Sequence, residues 1–207
     1  MAKTRSAHLS SWSKLSLVQV AATLLVGCDS NGSHLQATPA TTFSADEQAV
    51  YAVVLSQTFG SRSYVLQNQS KDMAYTPDEI AEESYYITRE LEVLDADTIA
   101  SLWSANPRPE AIPTTLQIGA PYSLIDQDTL SALVESDPHD WKGFYDRYPD
   151  APGVLTIAHA GFDTAGTQAL AFLNWRAGGL AAWWRYFLLE RNGDTWTIVD
   201  DVITLMS

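Results

Sequence analysis

The spacing of apolar residues changes character part-way along the chain: helical up to about Gly153, alternating or continuous in short runs after it. Ala49 to Leu55 is an unbroken apolar run, which suits a buried strand or a buried helix. Ser44 and Glu47 ahead of it have capping-box spacing, and the run reaches Phe59 before Gly60, so the pattern predicts a helix that the glycine ends. Tyr64 to Gln69 predicts a short strand. Thr76-Pro77-Asp78-Glu79 puts proline at a first helical position and acids in a first turn. Ile80, Ser84, Ile87, Leu91 and Leu94 follow near helical spacing, although Tyr85-Tyr86-Ile87 would also suit a strand.

Two later segments resemble each other, Leu94-Asp95-Ala96-Asp97-Thr98-Ile99 and Ile125-Asp126-Gln127-Asp128-Thr129-Leu130. Each predicts a helix start with Asp95 or Asp126 as N-cap and the preceding apolar residue stapled onto Ile99 or Leu130. The paired Asp residues lack the third ligand, glycine and distal Glu of a calcium loop, so capping explains them. Between the copies Pro107, Pro109 and Pro113 forbid a helix, and Thr115 to Ala120 predicts a short strand ended by Pro121. Asp137-Pro138 opens a helix whose Trp141, Phe144, Tyr145 and Tyr148 share a core face. Strands are then expected over 154–162, 167–175, 185–191 and 195–203, with Asn192-Gly193 as a hairpin turn and a longer loop over 176–184. Helices first and strands last predict an α+β fold, N-terminal helices packed on a C-terminal four-stranded antiparallel meander.

The N-terminus has a different texture. Lys3, Arg5 and Lys14 precede an apolar stretch of roughly 13 residues, short of the ~20 needed to span a bilayer. That order reads as a removable signal. Leu25-Val26-Gly27-Cys28 at its end resembles the bacterial lipobox, which implies that Cys28 becomes the acylated first residue of the mature protein. Cys28 is the one cysteine in the chain, so no disulfide is available to the exported domain, and acylation accounts for the odd thiol. The resulting division is 1–27 signal peptide, 28–42 lipidated Cys and flexible Ser/Thr/Gly/Pro-rich tether, and 43–207 a single domain. The expected location is the bacterial cell envelope, with the lipid bilayer a partner through Cys28.

Composition then removes function classes. The chain has 12 Lys and Arg against 25 Asp and Glu, a net charge of −13, and loss of the expected signal removes basic residues only. Such a domain lacks the clustered cations that neutralise phosphates, so nucleic acid is excluded as a partner. Seven Trp, nine Tyr and six Phe among 207 residues supply a sizeable core. No nucleophile elbow, phosphate-binding glycine loop or Cys-based metal spacing is present, so neither cofactor nor metal is expected.

From about Trp141 to the end, the chain resembles an uncharacterised family of bacterial exported proteins and lipoproteins. The residues that carry this are Phe144-Tyr145, Tyr148-Pro149, Gly153, Gly161-Phe162, Gln168-Ala169-Leu170, Gly178-Gly179-Leu180, Leu188-Leu189-Glu190 and Gly193 with Trp196. The family pattern implies a cysteine on each side of the Gly-Leu turn, where this chain has Ala177 and Ala181, so a disulfide there is absent. The resemblance implies an exported α+β domain and no activity. The helix-then-meander order also resembles NTF2-like domains in topology.

Candidate chemistry rests on few residues. His139, beside Asp140 at a helix start, and His159, in an expected strand, are the domain's imidazoles; His159 would serve as general base if it faced a cavity, and would be a solvent-face residue otherwise. Trp175, Arg176, Trp183, Trp184 and Arg185 flank the Gly178-Gly179-Leu180 turn and resemble a recognition surface, since Trp and Arg dominate interface hot spots; the other reading is core. The leading expectation is a non-catalytic envelope lipoprotein that binds an envelope protein or small ligand through one end of its sheet. The alternatives are an NTF2-like small-molecule enzyme with His159 as base, and a structural envelope module.

Overall fold

The first helix begins where the capping box puts it. The Ser44 hydroxyl accepts the Glu47 amide, the Glu47 carboxylate accepts the Ser44 amide, and α1 runs Ala45–Phe59 to Gly60, whose φ of 71° favours glycine. These elements belong to a computed structural model that describes residues 42–134 and 141–206, within one compact unit, Thr38–Ser207. After β1 (Tyr64–Gln67), a second capping box, Thr76 with Glu79, starts α2 (Pro77–Glu90), with Pro77 in its first turn as predicted.

The twin Asp segments diverge. Helix α3 is Ala96–Ala105; Asp95 holds its N-cap position but makes no side-chain cap bond. The Asp95 amide is instead met at 2.7 Å by the buried Gln168 side chain. Asp126 does cap its helix, accepting from the Thr129 amide and hydroxyl at 2.7 and 2.8 Å. Strand β2 (Tyr122–Ile125) precedes that helix, α4 (Gln127–Val134), and α5 is Lys142–Arg147. The remaining strands are β3 (Val154–Ile157), β4 (Gly161–Phe162), β5 (Gln168–Arg176), β6 (Ala182–Asn192) and β7 (Thr195–Met206).

The fold is α+β, and its sheet is larger than the predicted meander. Seven strands form one mixed sheet in the order β2-β1-β3-β5-β6-β7, with β4 paired to β5. β1 runs parallel to both β2 and β3. The strand expected over Thr115 to Ala120 is absent, and β2 follows Pro121 instead. The Pro121 carbonyl accepts the Tyr64 amide and so starts the pairing with β1, whereas the amides of Leu116 and Gln117 go to the side chains of Tyr122 and Gln48. The expected long loop over 176–184 is also shorter: Trp175 faces Trp183 directly across the β5–β6 ladder. Their rings stack at 5.7 Å, and this cross-strand pair holds the ladder together nearly to the turn.

Both faces of the sheet are covered. Ala169, Ala171 and Leu173 of β5 pack with α1 residues Val50, Tyr51, Val54 and Leu55. Leu170 and Phe172 pack the other way, against Ile87, Leu91, Leu102 and Trp103 of α2 and α3. Burial on two faces explains why β5 and β6 read as continuous apolar runs rather than alternating ones. The Trp141, Phe144, Tyr145 and Tyr148 stripe joins a third cluster with Val65, Leu130 and Val154. No helix among the described residues is long and apolar enough to cross a membrane.

Candidate functional site

The strand expected over 154–162 is broken at Ala158-His159-Ala160, and side chains replace the missing ladder bonds. The Asn106 amide takes the place of a strand partner: its oxygen accepts the His159 amide at 2.7 Å and its nitrogen donates to the His159 carbonyl at 2.8 Å. The Tyr51 hydroxyl donates to the Ala158 carbonyl at 2.7 Å, and the Ala160 amide donates to Glu47 Oε1 at 3.2 Å. Backbone satisfaction at a chain break is what a buried segment requires. Gly161 follows because α3 lies against it; a Cβ there would stand 2.3 Å from the Thr98 carbonyl oxygen.

The imidazole of His159 is therefore turned inward rather than to solvent. It is 4% exposed, with Phe43 stacked on it at 4.4 Å. Nδ1 lies 2.8 Å from Glu47 Oε1, and Nε2 lies 3.4 Å from Glu110 Oε2, within ion-pair reach but without hydrogen-bond geometry. Burial by itself lowers the His159 pKa; the hydrogen bond and charge of Glu47, then the nearby Glu110 carboxylate, reverse this and hold it above the ordinary 6.5. Burial likewise raises the Glu47 pKa, but hydrogen bonds from His159 and Ser44 and the imidazolium charge leave it below 4.5. With the imidazole protonated, the pair is a salt bridge inside the core. A His–carboxylate couple of this kind suits proton transfer, yet Phe43 covers one face of the imidazole and the ring is shut off from solvent.

The five Trp and Arg residues do not share one surface. Trp183 stacks on Phe59 at 6.1 Å and joins the α1 side of the core. Trp184 joins the opposite side, edge-on to Phe172 at 6.1 Å. Trp175 donates its indole N–H to the Pro152 carbonyl at 3.0 Å. Arg176 lies 5.7 Å from the Trp141 ring, and burial lowers its pKa. Arg185 is paired with Asp201 at 2.6 Å. All five are half-buried, and Leu180, at the tip of the turn, is the exposed apolar residue.

Trp184 instead borders a cleft of about 540 Å³ between α2 and the end of the sheet. Glu79, Glu82, Glu83 and Tyr86 of α2 form one wall; Trp184 and Thr204 form the other. Tyr75 and Tyr85 close its ends. His159 is not among the lining residues. Sequence alone does not show this acidic, aromatic cleft, because Asp78 and Glu79 read as a first-turn signature and the pattern over 176–184 reads as a loop. The one available sign was the spacing of Glu79, Glu82, Glu83 and Tyr86 beside the apolar stripe.

Cys28 and His139 lie outside the described residues. Among the described residues no group of three or more His, Cys, Asp or Glu side chains is arranged to hold a metal ion. No protein-family model matches the chain, and comparison with curated proteins and with solved structures returns no match either.

Proposed function

We propose that the chain is an envelope lipoprotein, anchored through acylated Cys28, whose domain is a non-catalytic module that binds a small ligand at the Trp184 end of its sheet. The observation that carries the binding part is the cleft itself: its volume falls within the roughly 300 to 1,000 Å³ of small-molecule sites, and aromatic rings and convergent polar groups line it. The anchor rests on the basic and apolar pattern ahead of Cys28. The NTF2-like reading of the fold draws on the antiparallel succession β3, β5, β6, β7; the parallel β1 and β2 fall outside it. The rival reading, an enzyme with His159 as base, has the enclosure of that imidazole against it.

Two measurements test the proposal. Cys28→Ser should leave the membrane fraction or keep its signal, and unchanged fractionation with unchanged mass refutes the anchor. For the module, a thermal-shift screen of small molecules should give stabilising compounds whose effect is lost in Trp184→Phe. Compounds that stabilise both proteins equally, or none that stabilise either, count against the cleft.

A further inference from the structure

The cleft's acidic wall is a single stripe of α2. Glu79, Glu82, Glu83 and Tyr86 recur at spacings of three, one and three, which puts them on one side of the helix. The neighbouring stripe, Ile80, Ser84 and Ile87, is the one turned to the sheet: Ile87 is fully buried, and the Ser84 hydroxyl accepts the Trp103 indole N–H at 2.8 Å. The carboxylates are thereby held at the margin of the sheet, opposite Trp184 and Thr204. Glu79 gives one oxygen to its capping box. Neither Glu82 nor Glu83 forms an ion pair among the described residues.

The floor supplies an independent observation. Tyr186 is fully buried, and its hydroxyl has the Glu83 carboxylate beside it but no hydrogen bond of good geometry; the Thr204 hydroxyl, in the cleft wall, is enclosed and has no partner. Buried polar groups are nearly always bonded, so the Thr204 hydroxyl in the cleft wall calls for a partner. Burial pushes the Tyr186 pKa up, and Glu83 and then Tyr75 add to the shift. Both of those residues line the cleft.

The donors define the ligand. Unneutralised carboxylates ask for positive charge, and the Thr204 hydroxyl oxygen can accept an N–H group. The rings of Trp184, Tyr86 and Tyr75 ask for an apolar body or a cation over their faces. A bare divalent ion meets none of the aromatic surface and would need a shell of oxygens at about 2.0 to 2.6 Å that the described residues do not assemble. A quaternary ammonium suits the rings but brings no N–H for the carboxylates or Thr204. The fold already places cations on two of these rings, Lys71 Nζ at 4.8 Å from Trp184 and Arg89 at 5.2 Å from Tyr86, and neither residue lines the cleft.

We infer that the cleft binds an aliphatic di- or polyamine, its ammonium groups held by Glu82 and Glu83 and its methylenes laid against Trp184 and Tyr86. This rests on the reading of the cleft as the domain's ligand site.

Calorimetric titration of the full-length protein in detergent, with tryptophan fluorescence as a second readout, tests it with four probes: spermidine, tetramethylammonium, magnesium chloride and hexane-1,6-diol. Spermidine is expected to bind saturably at one site, tetramethylammonium at least tenfold more weakly, and the other two not at all. Glu82→Gln with Glu83→Gln should weaken spermidine at least tenfold without lowering the melting temperature of the free protein. Glu82→Lys, at an exposed position, gives the same loss should the double variant fold poorly. Thr204→Val should weaken it by a smaller factor. Magnesium binding as tightly as spermidine, or spermidine binding unchanged in the charge variants, overturns the inference. Absence of spermidine binding overturns it too. If a compound of other chemistry then binds in a Trp184-dependent manner, the ligand class is wrong and the cleft still stands as the site; if nothing does, both readings fall.

Discussion

Helices α1 and α2 open with the same device, Ser44 with Glu47 and Thr76 with Glu79, and the two glutamates end in opposite circumstances. In each box one carboxylate oxygen accepts the N-cap amide, at 2.6 Å in α1 and 2.7 Å in α2. Glu47 is 7% exposed, and its second oxygen meets the His159 imidazole and the Ala160 amide. Glu79 is exposed, and its box lies at the mouth of the cleft. The motif fixes where a helix starts. What the remaining oxygen does is decided by the element packed opposite it: a broken strand for α1, open space and aromatic rings for α2.

The largest effect should come from breaking the enclosed member. Glu47→Gln leaves the buried imidazole without its hydrogen-bonded carboxylate, with only the more distant Glu110 charge beside it, and removing one partner of a buried pair costs about 3 to 5 kcal/mol. For a domain of this size, at ~2 to 4 °C per kcal/mol, the melting temperature should fall by roughly 6 to 20 °C. The matched substitution Glu79→Gln should change it little. Equal losses in the two variants, read by thermal or urea denaturation, would show that both glutamates act only as helix caps.

Next in size is the dependence of stability on pH, to which the Glu47 box responds on two sides, through its carboxylate and through His159. The folded-state pKa of His159 is raised, so its contribution is complete below the ordinary 6.5 and is lost as pH rises through the folded value. The folded-state pKa of Glu47 is lowered, so its contribution is present above 4.5 and is lost as pH falls through the folded value. Wild-type urea midpoints should thus be highest on the mildly acidic side and decline toward alkaline pH relative to His159→Gln. Parallel pH profiles for the two proteins would remove the ion pair from the stability of the fold.

How far this contrast could be read in advance follows from chain distance. Both helix starts were legible, since a capping box lies within four residues. The partner of Glu47 was not, because His159 is 112 residues away and nothing local shows that a strand will break there with an alanine on each side. The sheet's parallel edge escaped for a related reason. β1 and β2 are four residues each, and their pairing depends on a crossover that carries α2 and α3. Trp183 and Trp184 were placed in a loop because two glycines precede them, whereas the stacking of Trp175 on Trp183 carries the ladder past that point. Their assignment to opposite faces, by contrast, follows directly from strand alternation.

That alternation gives a third, smaller test. Trp183→Ala removes a half-buried ring from Phe59 and Trp175, and Trp184→Ala removes one from Phe172. Full burial would put each loss at about 3 to 5 kcal/mol, so half burial suggests roughly 2 kcal/mol apiece. The two should be similar in stability yet differ in binding, with only Trp184→Ala abolishing amine-induced fluorescence changes. Loss of binding in Trp183→Ala alone would place the ligand site on the α1 face.

The smallest effect expected is that of salt on the two boxes, and it bears on why one glutamate is structural and the other available. Hydrogen bonds from the Thr76 amide and hydroxyl lower the Glu79 pKa. Its contribution therefore exists above 4.5 and disappears as pH falls, the same sign as for Glu47. Glu79 is solvent-exposed, however, and at about 1 M salt a Debye length near 3 Å screens such charges almost completely, while buried pairs are screened far less. The small difference in urea midpoint between wild type and Glu79→Gln at pH 7 should shrink toward zero between low salt and 1 M sodium chloride. The difference between wild type and Glu47→Gln should persist. A Glu47 effect that salt erases would mean that water reaches the imidazole, and with it that His159 is open to proton exchange with a substrate after all.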